Sequence, residues 1–189
     1  MTLRTFIALE LPENHKAAIL HYLDTWRKLY RNGINWVSPE NLHLTLAFLG
    51  DTNSNDLPQL QELLFRLTLN QPGFNLSLSG FELFPAREPR LLWVKLASTD
   101  QGIFTFSKEL NRALKEAGLS PDAKPLKLHV TAGRIKLQQP SWLEQEFMQS
   151  ALPNEAAEYN TITFYQSVLR PVGPVYTPLR QFDLRHKAY

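Results

Sequence analysis

The spacing of apolar and polar side chains divides the chain into strand-like and helix-like segments. Apolar residues that recur at every second position predict half-buried strands, whereas recurrence at every third or fourth position predicts amphipathic helices. By these two periods the first half reads strand, helix, strand, strand, helix, strand, strand. The predicted strands are 3–9, 34–37, 42–49, 74–84 and 90–96, and the predicted helices lie between Pro12 and Gly33 and at 55–69.

The second half of the chain echoes the first. A helix at 101–117, which Gly118 closes, is followed by a strand, a short helix and two long strands. These last four elements are predicted at 126–135, 142–148, 158–169 and 175–184. The pattern predicts an α+β protein with two similar lobes in a single domain, 1–189.

The composition is that of a soluble globular domain. With 189 residues, of which 43% are hydrophobic, the chain is long enough to bury a full core. No apolar run approaches the roughly 18 residues of a membrane span, and the apolar run at the start is too short for a signal peptide. We therefore expect a cytoplasmic protein with no membrane partner. The absence of cysteine excludes disulfides and thiolate chemistry, and the formal charge of +2 permits an anionic substrate without requiring one.

The triplet His-x-Thr occurs twice, in similar surroundings. The chain reads Pro39-Glu40-Asn41-Leu42-His43-Leu44-Thr45-Leu46 and later Pro125-Leu126-Lys127-Leu128-His129-Val130-Thr131-Ala132. In both copies a proline stands four residues before the histidine, a leucine one before it and a threonine two after it. Since the chain has five histidines, about 0.3 such triplets are expected by chance. The duplication therefore indicates a function.

The two motifs could supply acid and base groups to one site. On a strand, His43 and Thr45 share one face while Leu44 faces the core, and His129 and Thr131 have the same relation. If a pseudo-twofold axis relates the lobes, both pairs face one cleft. At neutral pH a neutral imidazole can accept a proton while a charged one donates, and threonine hydroxyls can donate hydrogen bonds to phosphoryl oxygens. The pattern suits metal-independent phosphoryl transfer.

Two other kinds of site compete for these histidines. A metal site needs a third ligand at usable spacing, but the sequence has no His-x-His, no His-Glu-x-x-His and no carboxylate cluster near either motif. A Ser-His-Asp hydrolase would carry a Gly-x-Ser-x-Gly elbow, which is absent. We therefore expect no metal and no other cofactor, and we interpret the other histidines as lying outside the site. These are His15, His21 and His186.

Several segments resemble the 2H phosphoesterase superfamily, and within it the bacterial and archaeal RNA 2′,3′-cyclic phosphodiesterases, historically called 2′-5′ RNA ligases. The similarity extends nearly from end to end and is most specific at the first motif. The segments that carry it are 4–9, 36–50, 92–94, 129–134 and 173–179. The resemblance implies a bilobal fold in which two pseudo-symmetric antiparallel sheets with outer helices surround a central cleft.

The resemblance also implies a reaction. Such a protein hydrolyses the 2′,3′-cyclic phosphate end of RNA to a 2′-phosphate, releases the 3′ oxygen, and has an associated reversible 2′-5′ RNA ligation activity. By this analogy His129 would activate water and His43 would protonate the departing oxygen, while Thr45 and Thr131 would hold the phosphate. The sequence alone leaves the two histidine roles interchangeable.

Local departures from the family pattern surround the second motif. Relatives usually have a proline immediately before the second histidine, where this chain has Leu128. Arg134 matches an arginine of the relatives and would neutralise phosphate charge. Strict alternation from His129 places Arg134 on the opposite face, so this role requires a bulge, for which Gly133 is the candidate.

A nucleotide substrate also needs a surface for its base. Phe6 and Tyr176 are the candidates for stacking, with Trp36 and Trp93 as alternatives, because stacking contributes about 1 to 3 kcal/mol whatever the base. Two other functions remain open: hydrolysis of a small cyclic nucleotide phosphate or ADP-ribose cyclic phosphate, and nucleotide binding without turnover. We expect a monomer, because the two lobes already supply both halves of the site.

Overall fold

The computed structural model describes residues 1–30, 32–85, 88, 90–122, 124–137, 141–171 and 173–185, and of residues 141–144 it describes the backbone alone. This part of the chain forms nine strands and four α-helices. The strands are β1 (Thr2–Glu10), β2 (Ile34–Trp36), β3 (His43–Asn53), β4 (Phe74–Phe84), β5 (Leu91–Ser98), β6 (His129–Ile135), β7 (Ala156–Tyr159), β8 (Thr161–Arg170) and β9 (Gly173–Asp183). The helices are α1 (Glu13–Leu29), α2 (Leu57–Thr68), α3 (Gly102–Glu116) and α4 (Ser141–Gln149). The α+β class is confirmed. None of these helices is long and apolar enough to cross a membrane.

The strands form two antiparallel halves that meet at the two motifs. Their order is β7-β4-β5-β6-β3-β1-β8-β9, with β2 also paired to β6. The halves are joined between β6 and β3 by a single residue pair, Leu44 with Val130. The two predicted sheets are therefore halves of one curled sheet, and each half contributes one motif strand to the junction.

A cleft opens because the edge of β6 changes partner. β3 pairs with β6 only at Val130, whereas β2 pairs with β6 along residues 133–135. Between these points the amide of Val37 donates a hydrogen bond of 2.9 Å to the carbonyl of Ala132. Since β3 turns away after one pair, the two halves of the sheet diverge beside the motifs.

Helix α1 crosses from one half to the other. It follows β1 in sequence, yet its Tyr22 ring lies 6.4 Å from the ring of Phe81 in β4, and its His15 Nδ1 lies 2.9 Å from the Tyr159 hydroxyl in β7. His15 is buried, and its Nε2 lies 2.9 Å from the carbonyl oxygen of Glu155. The interpretation of His15 as a residue outside the site is confirmed, and the crossing makes the two halves share one core.

One predicted strand is wrong. The hydrophobic pattern predicts a single strand over 158–169, but this segment is divided at Asn160 into β7, which pairs with β4, and β8, which pairs with β1. The carbonyl of Asn160 accepts a hydrogen bond of 2.7 Å from the amide of Leu184. Both strands bury apolar side chains and only Asn160 separates them, so hydrophobicity alone gives no reason to divide the segment.

Candidate active site

The two motif strands begin at their histidines and share one burial pattern. His43 and Thr45 in β3 are partly exposed while Leu44 between them is buried. In β6 the partly exposed residues are His129 and Thr131, and the buried ones are Val130 and Ala132. The predicted parity is confirmed in both copies. Because Leu44 and Val130 pair antiparallel, each histidine lies beside the threonine of the other motif.

A bulge interrupts each motif strand directly after the threonine. In β6 the register with β5 shifts after Thr131, and in β3 the register with β1 shifts after Thr45. Two consecutive residues are buried there, 46–47 and 132–133. The bulges return Phe48 and Arg134 to the face of the histidines.

Glycine relieves crowding at the second bulge, where a side chain would meet three neighbours. A Cβ on Gly133 would lie 3.1 Å from Cγ2 of Ile34, 3.2 Å from Cδ1 of Leu92 and 3.3 Å from Cε3 of Trp36. The bulge predicted near Gly133 is confirmed. Because of it, Arg134 lies on the same strand face as His129, which strict alternation would not allow.

A cleft of about 380 Å³ lies on this face. Five of the predicted site residues line it, namely His43, Thr45, Thr131, Arg134 and Tyr176. Arg134 comes from one half of the sheet and Tyr176 from the other, and the charge of Arg134 acts on the Tyr176 hydroxyl. His129 is not part of this lining, but its charge acts on His43. The cleft therefore combines groups from both halves.

The histidines have matching hydrogen bonds. Nδ1 of His43 lies 2.7 Å from the carbonyl oxygen of Asn41, and Nδ1 of His129 lies 2.9 Å from that of Lys127, in each case two residues earlier. A carbonyl only accepts, so each Nδ1 carries a hydrogen and donates it. In the neutral rings Nε2 is then left as the acceptor. At His43 this atom lies 3.1 Å from Oγ1 of Thr45, whose hydroxyl can donate to it.

Both histidines favour the neutral form in the free protein. Burial lowers the pKa of His43 to about 4; the Asn41 carbonyl opposes this shift, and a positive charge on His129 adds to it. Burial likewise lowers the pKa of His129, and the Lys127 ammonium contributes in the same direction. The two rings therefore resist being charged together, which suits a site that needs one of each form.

His129 lies at one end of an aromatic stack. Its ring is 3.8 Å from that of Trp93, with an interplanar angle of 29°, and Trp93 is stacked 4.1 Å from Phe84. The ammonium of Lys127 lies 4.3 Å from the centre of the Phe84 ring. Trp93 is 6% exposed, so it supports His129 and offers no free face to a base. The sequence pattern does not reveal this support, since it places Trp93 only among the candidates for stacking.

A second group of aromatic rings surrounds His43. The ring of Phe6 is 4.9 Å from that of His43 and 4.8 Å from that of Tyr176. Phe6 is only 1% exposed, so it packs behind His43, and its assignment as a base-stacking residue is corrected. Alternation identifies the face of Phe6 but not the rings that cover it.

Phe48 is a cleft residue that the sequence prediction missed. Its side chain is 49% exposed although it is large and apolar, and it lines the same cleft as His43. The signal is present in the duplication: Phe48 stands five residues after His43, as Arg134 stands five after His129. A bulge in one copy of a repeated motif implies a bulge in the other.

The hairpin β8–β9 closes one side of the cleft. The side-chain amide of Asn41 donates a hydrogen bond of 2.9 Å to the carbonyl of Pro174. Asn41 thus connects the hairpin that carries Tyr176 to the segment that leads into His43.

Within the described ranges, no group of three or more His, Asp or Glu side chains is arranged to hold a metal ion. His21 is exposed on α1, and His186 lies outside the described residues.

The chain is similar to known phosphodiesterases over most of its length. Residues 9–93 match the family model described as LigT like Phosphoesterase. An RNA 2′,3′-cyclic phosphodiesterase of Thermotoga maritima is 32% identical over 180 residues, which cover 94% of this chain and 93% of the relative. An RNA 2′,3′-cyclic phosphodiesterase of Archaeoglobus fulgidus is 31% identical over 96% of this chain and all of the relative.

Solved structures show the same fold. TT0787 of Thermus thermophilus matches with a TM-score of 0.84 at 30% identity, over 98% of this chain and 100% of that one. E. coli LigT complexed with 3′-AMP matches with a TM-score of 0.76 at 26% identity, over 97% and 99% of the two chains. The predicted two-lobed fold around a cleft is confirmed.

Proposed function

The chain belongs to the LigT-like phosphoesterase family, whose members are also classed as 2H phosphoesterases, and is a cyclic phosphodiesterase; we propose that it hydrolyses the 2′,3′-cyclic phosphate end of RNA to a 2′-phosphate. The names of the two relatives above support RNA as the substrate. The observation that carries the mechanism is the matched pair of histidines, each of which donates from Nδ1 to a carbonyl two residues back and keeps Nε2 for catalysis.

Catalysis needs one neutral and one charged imidazole. Nε2 of the neutral ring accepts a proton from water, whose oxygen forms a bond to phosphorus. The bond from phosphorus to the 3′ oxygen breaks, and that oxygen takes a proton from Nε2 of the charged ring. The products are a 2′-phosphate and a free 3′ hydroxyl, and the pair of rings keeps one proton in total. We assign His129 as base and His43 as acid, in line with the resemblance.

The bound phosphate favours the protonated form that His43 needs to act as an acid. In the free protein burial holds the pKa of His43 at about 4. A phosphate anion beside a buried imidazole favours the imidazolium, since Coulomb attraction is stronger where water is excluded. Binding of the anionic substrate therefore brings a proton onto His43 and makes it an acid.

Hydrogen-bond donors around the cleft hold the non-bridging oxygens. The hydroxyls of Thr45 and Thr131 face the cleft with the histidines, and Arg134 can offer a planar pair of N–H donors. Donors placed where negative charge grows contribute to rate as well as to affinity.

Tyr176 and Phe48 form the surface for the nucleotide base. Tyr176 is partly exposed and Phe48 is 49% exposed, and both line the cleft. Replacement of a stacking ring by alanine costs about 1 to 3 kcal/mol, so we expect KM to rise at least about fivefold for Phe48→Ala. Val168→Ala, on β8 and also exposed, is the control. An unchanged KM for Phe48→Ala would remove it from the site.

The same geometry allows 2′-5′ ligation. If a 5′ hydroxyl of a second RNA replaces water, its oxygen bonds to phosphorus and loses its proton to the base, while the 3′ oxygen departs as before. The product is a 2′-5′ phosphodiester. We propose this as an associated, reversible activity.

The decisive experiment is hydrolysis of an RNA oligonucleotide ending in a 2′,3′-cyclic phosphate, in EDTA, with the position of the product phosphate determined. We expect a 2′-phosphate, and we expect His43→Ala and His129→Ala each to lose about 10² to 10⁴ in kcat. His21→Ala is the matched control because His21 is exposed on α1. A 3′-phosphate product would overturn the direction of ring opening, and near wild-type turnover by either motif variant would overturn the two-histidine mechanism.

The cleft volume favours one competing substrate class. A cleft of about 380 Å³ lies at the lower end of the range typical of small-molecule sites, which also suits a small cyclic nucleotide phosphate. A kcat/KM on mononucleotide cyclic phosphates well above that on RNA would support that alternative.

A further inference from the structure

A second groove lies beside the loop that leads into the second motif. Its walls are one face of α3 and residues 124–126, and its volume is about 480 Å³. We infer that this basic groove binds the phosphates of single-stranded RNA upstream of the cyclic end. The inference rests on the proposed function and extends it from the terminal nucleotide to the rest of the strand.

The groove is lined by positive charge. Its charged residues are Lys108, Arg112, Lys115 and Lys124, and no Asp or Glu of the described chain is in its lining. Lys124 pairs with Asp122 at 3.1 Å, and Arg112 lies 4.0 Å from Glu116. Within the described ranges no carboxylate pairs with Lys108 or Lys115 at the distance of these two ion pairs. Their two ammonium groups are available to a ligand.

The charge is specific to this side of α3. On its other side α3 forms a groove of about 510 Å³ with α2, whose charged residues are Arg66, Glu62 and Glu116. There the single arginine is bound to Glu62 at 2.8 Å. The two grooves along α3 are similar in size but differ in the charge of their lining. Of these two, only the groove that faces the motif loop is basic.

The loop connects the basic groove to the active site. The amide of Asp122 donates a hydrogen bond of 3.1 Å to the carbonyl of Phe48, which lines the catalytic cleft. Lys124 follows two residues later, and the chain reaches His129 five residues beyond it. Five residues span at most about 17 Å when fully extended. An RNA strand that leaves the cleft past Phe48 therefore reaches the groove within a few nucleotides.

The groove has the two features that bind single strands without sequence preference. Its cations can follow a phosphate backbone, and the partly buried ring of Phe104 in its wall offers a face for a base. A polyanion with stackable bases matches this surface better than an isolated phosphate does.

The test compares long and short substrates. For Lys108→Ala/Lys115→Ala we expect kcat/KM on RNA of about twelve nucleotides with a cyclic phosphate end to fall about 25-fold at about 0.1 M salt, while kcat/KM on a mononucleotide cyclic phosphate is unchanged. Loss of two phosphate contacts on a single strand should also reduce the slope of log(kcat/KM) against log[salt] by about 1.4.

Two further double or single variants serve as controls for charge and for position. Lys108→Arg/Lys115→Arg preserves the charge and should retain the wild-type salt slope. Arg66→Ala removes a cation from the neighbouring mixed groove and should leave the slope unchanged, because its charge is already matched by Glu62. The side chains substituted in these variants are exposed, so thermal melting should not change.

The outcomes separate this inference from the proposed function. An equal loss on mononucleotide and oligonucleotide, or an unchanged salt slope, would overturn the groove while leaving the cyclic phosphodiesterase intact. Fluorescence anisotropy measures the binding of the same oligonucleotide with a 2′-phosphate end, and this reports on the groove independently of turnover. If wild-type protein turned over no cyclic phosphate, the proposed function would fail, and the anisotropy slopes would still decide the groove.

Discussion

The imidazoles of His43 and His129 make the same backbone hydrogen bond but differ in environment. His43 is packed among Phe6 and Tyr176, and burial takes its pKa to about 4. Burial also lowers the pKa of His129, whose ring stacks on Trp93; the Lys127 ammonium adds to this lowering and the Glu82 carboxylate opposes it. Burial therefore favours the neutral form of both rings, while the neighbouring charged groups differ between them.

The lowered pKa of both rings predicts an acidic optimum for kcat/KM, which reports on the free enzyme. Above the pKa of both rings the singly protonated pair becomes tenfold rarer with each pH unit, and below about pH 4 both rings are charged. We therefore expect kcat/KM to peak between about pH 4 and the ordinary histidine pKa near 6.5, and kcat to extend to higher pH because bound phosphate favours the imidazolium.

The measurement is a pH series of kcat and kcat/KM in buffers of constant ionic strength. His21→Ala should leave both profiles in place. A kcat/KM that stays flat from pH 6 to pH 8 would contradict the lowered pKa values.

Trp93 positions the ring of His129, and substitution can separate this role from simple packing. Trp93→Leu removes the stacked face, and we expect kcat to fall about tenfold or more, since a displaced catalytic group costs up to about 10². Trp93→Phe keeps an aromatic face and should stay within about threefold of wild type.

Stability distinguishes Trp93 from a second tryptophan. The Nε1 of Trp93 is buried and, in the part of the chain that is described, has no hydrogen-bond partner, whereas Nε1 of Trp36 donates to the Tyr30 carbonyl at 3.0 Å. Trp36→Phe should therefore lose about 1 kcal/mol more from its hydrogen bond than Trp93→Phe does. Urea unfolding monitored by far-UV circular dichroism measures both.

Equal kcat for Trp93→Leu and Trp93→Phe would show that the stack does not position His129.

At the scale of the strand, the bulge at Gly133 decides which face Arg134 reaches. The backbone there is not in the left-handed region, so the cost of Gly133→Ala comes from the three side chains its Cβ would crowd. We expect a loss of about 1 to 3 kcal/mol in unfolding free energy and a weaker Kd for inorganic phosphate as Arg134 is displaced.

Gly118→Ala is the matched control for this prediction. Gly118 has a φ of +84° and open space around its Cβ, so alanine there costs backbone strain of about 1 to 2 kcal/mol without moving a cleft residue. Isothermal titration with phosphate should separate the two variants. If both bind phosphate as the wild type does, the bulge does not position Arg134.

The motif strands also show how far periodicity carries a prediction. Alternation around His43 and His129 predicts correctly that each histidine shares a strand face with its threonine, because it depends only on local backbone geometry. Gly133 indicates one of the two bulges, since a glycine inside a strand often marks a bulge. In the first copy the corresponding position is Ala47, which gives no such signal, so strict alternation from His43 puts Phe48 on the wrong face.

Across the whole molecule, the features that sequence could not predict are choices of partner. The division of 158–169 between two halves of the sheet and the crossing of α1 both depend on contacts between residues far apart in the chain, such as His15 with Tyr159. Local pattern gives the face of an element and not its neighbour. The duplicated motif succeeds where local pattern fails, because two similar sequences imply two similar positions around one site.

The crossing of α1 leads to a last prediction, that one chain holds a complete site. The two halves share a core through α1 and meet at Leu44 and Val130, so both histidines act on each other within the same chain. If His43→Ala and His129→Ala proteins are mixed, unfolded together and refolded together, we expect no recovery of activity. Specific activity of the wild type should also be independent of dilution, with elution as a species of 21.8 kDa. Recovery in the mixture would mean that halves are exchanged between chains and that the functional site lies between two copies, which the continuous sheet within one chain argues against.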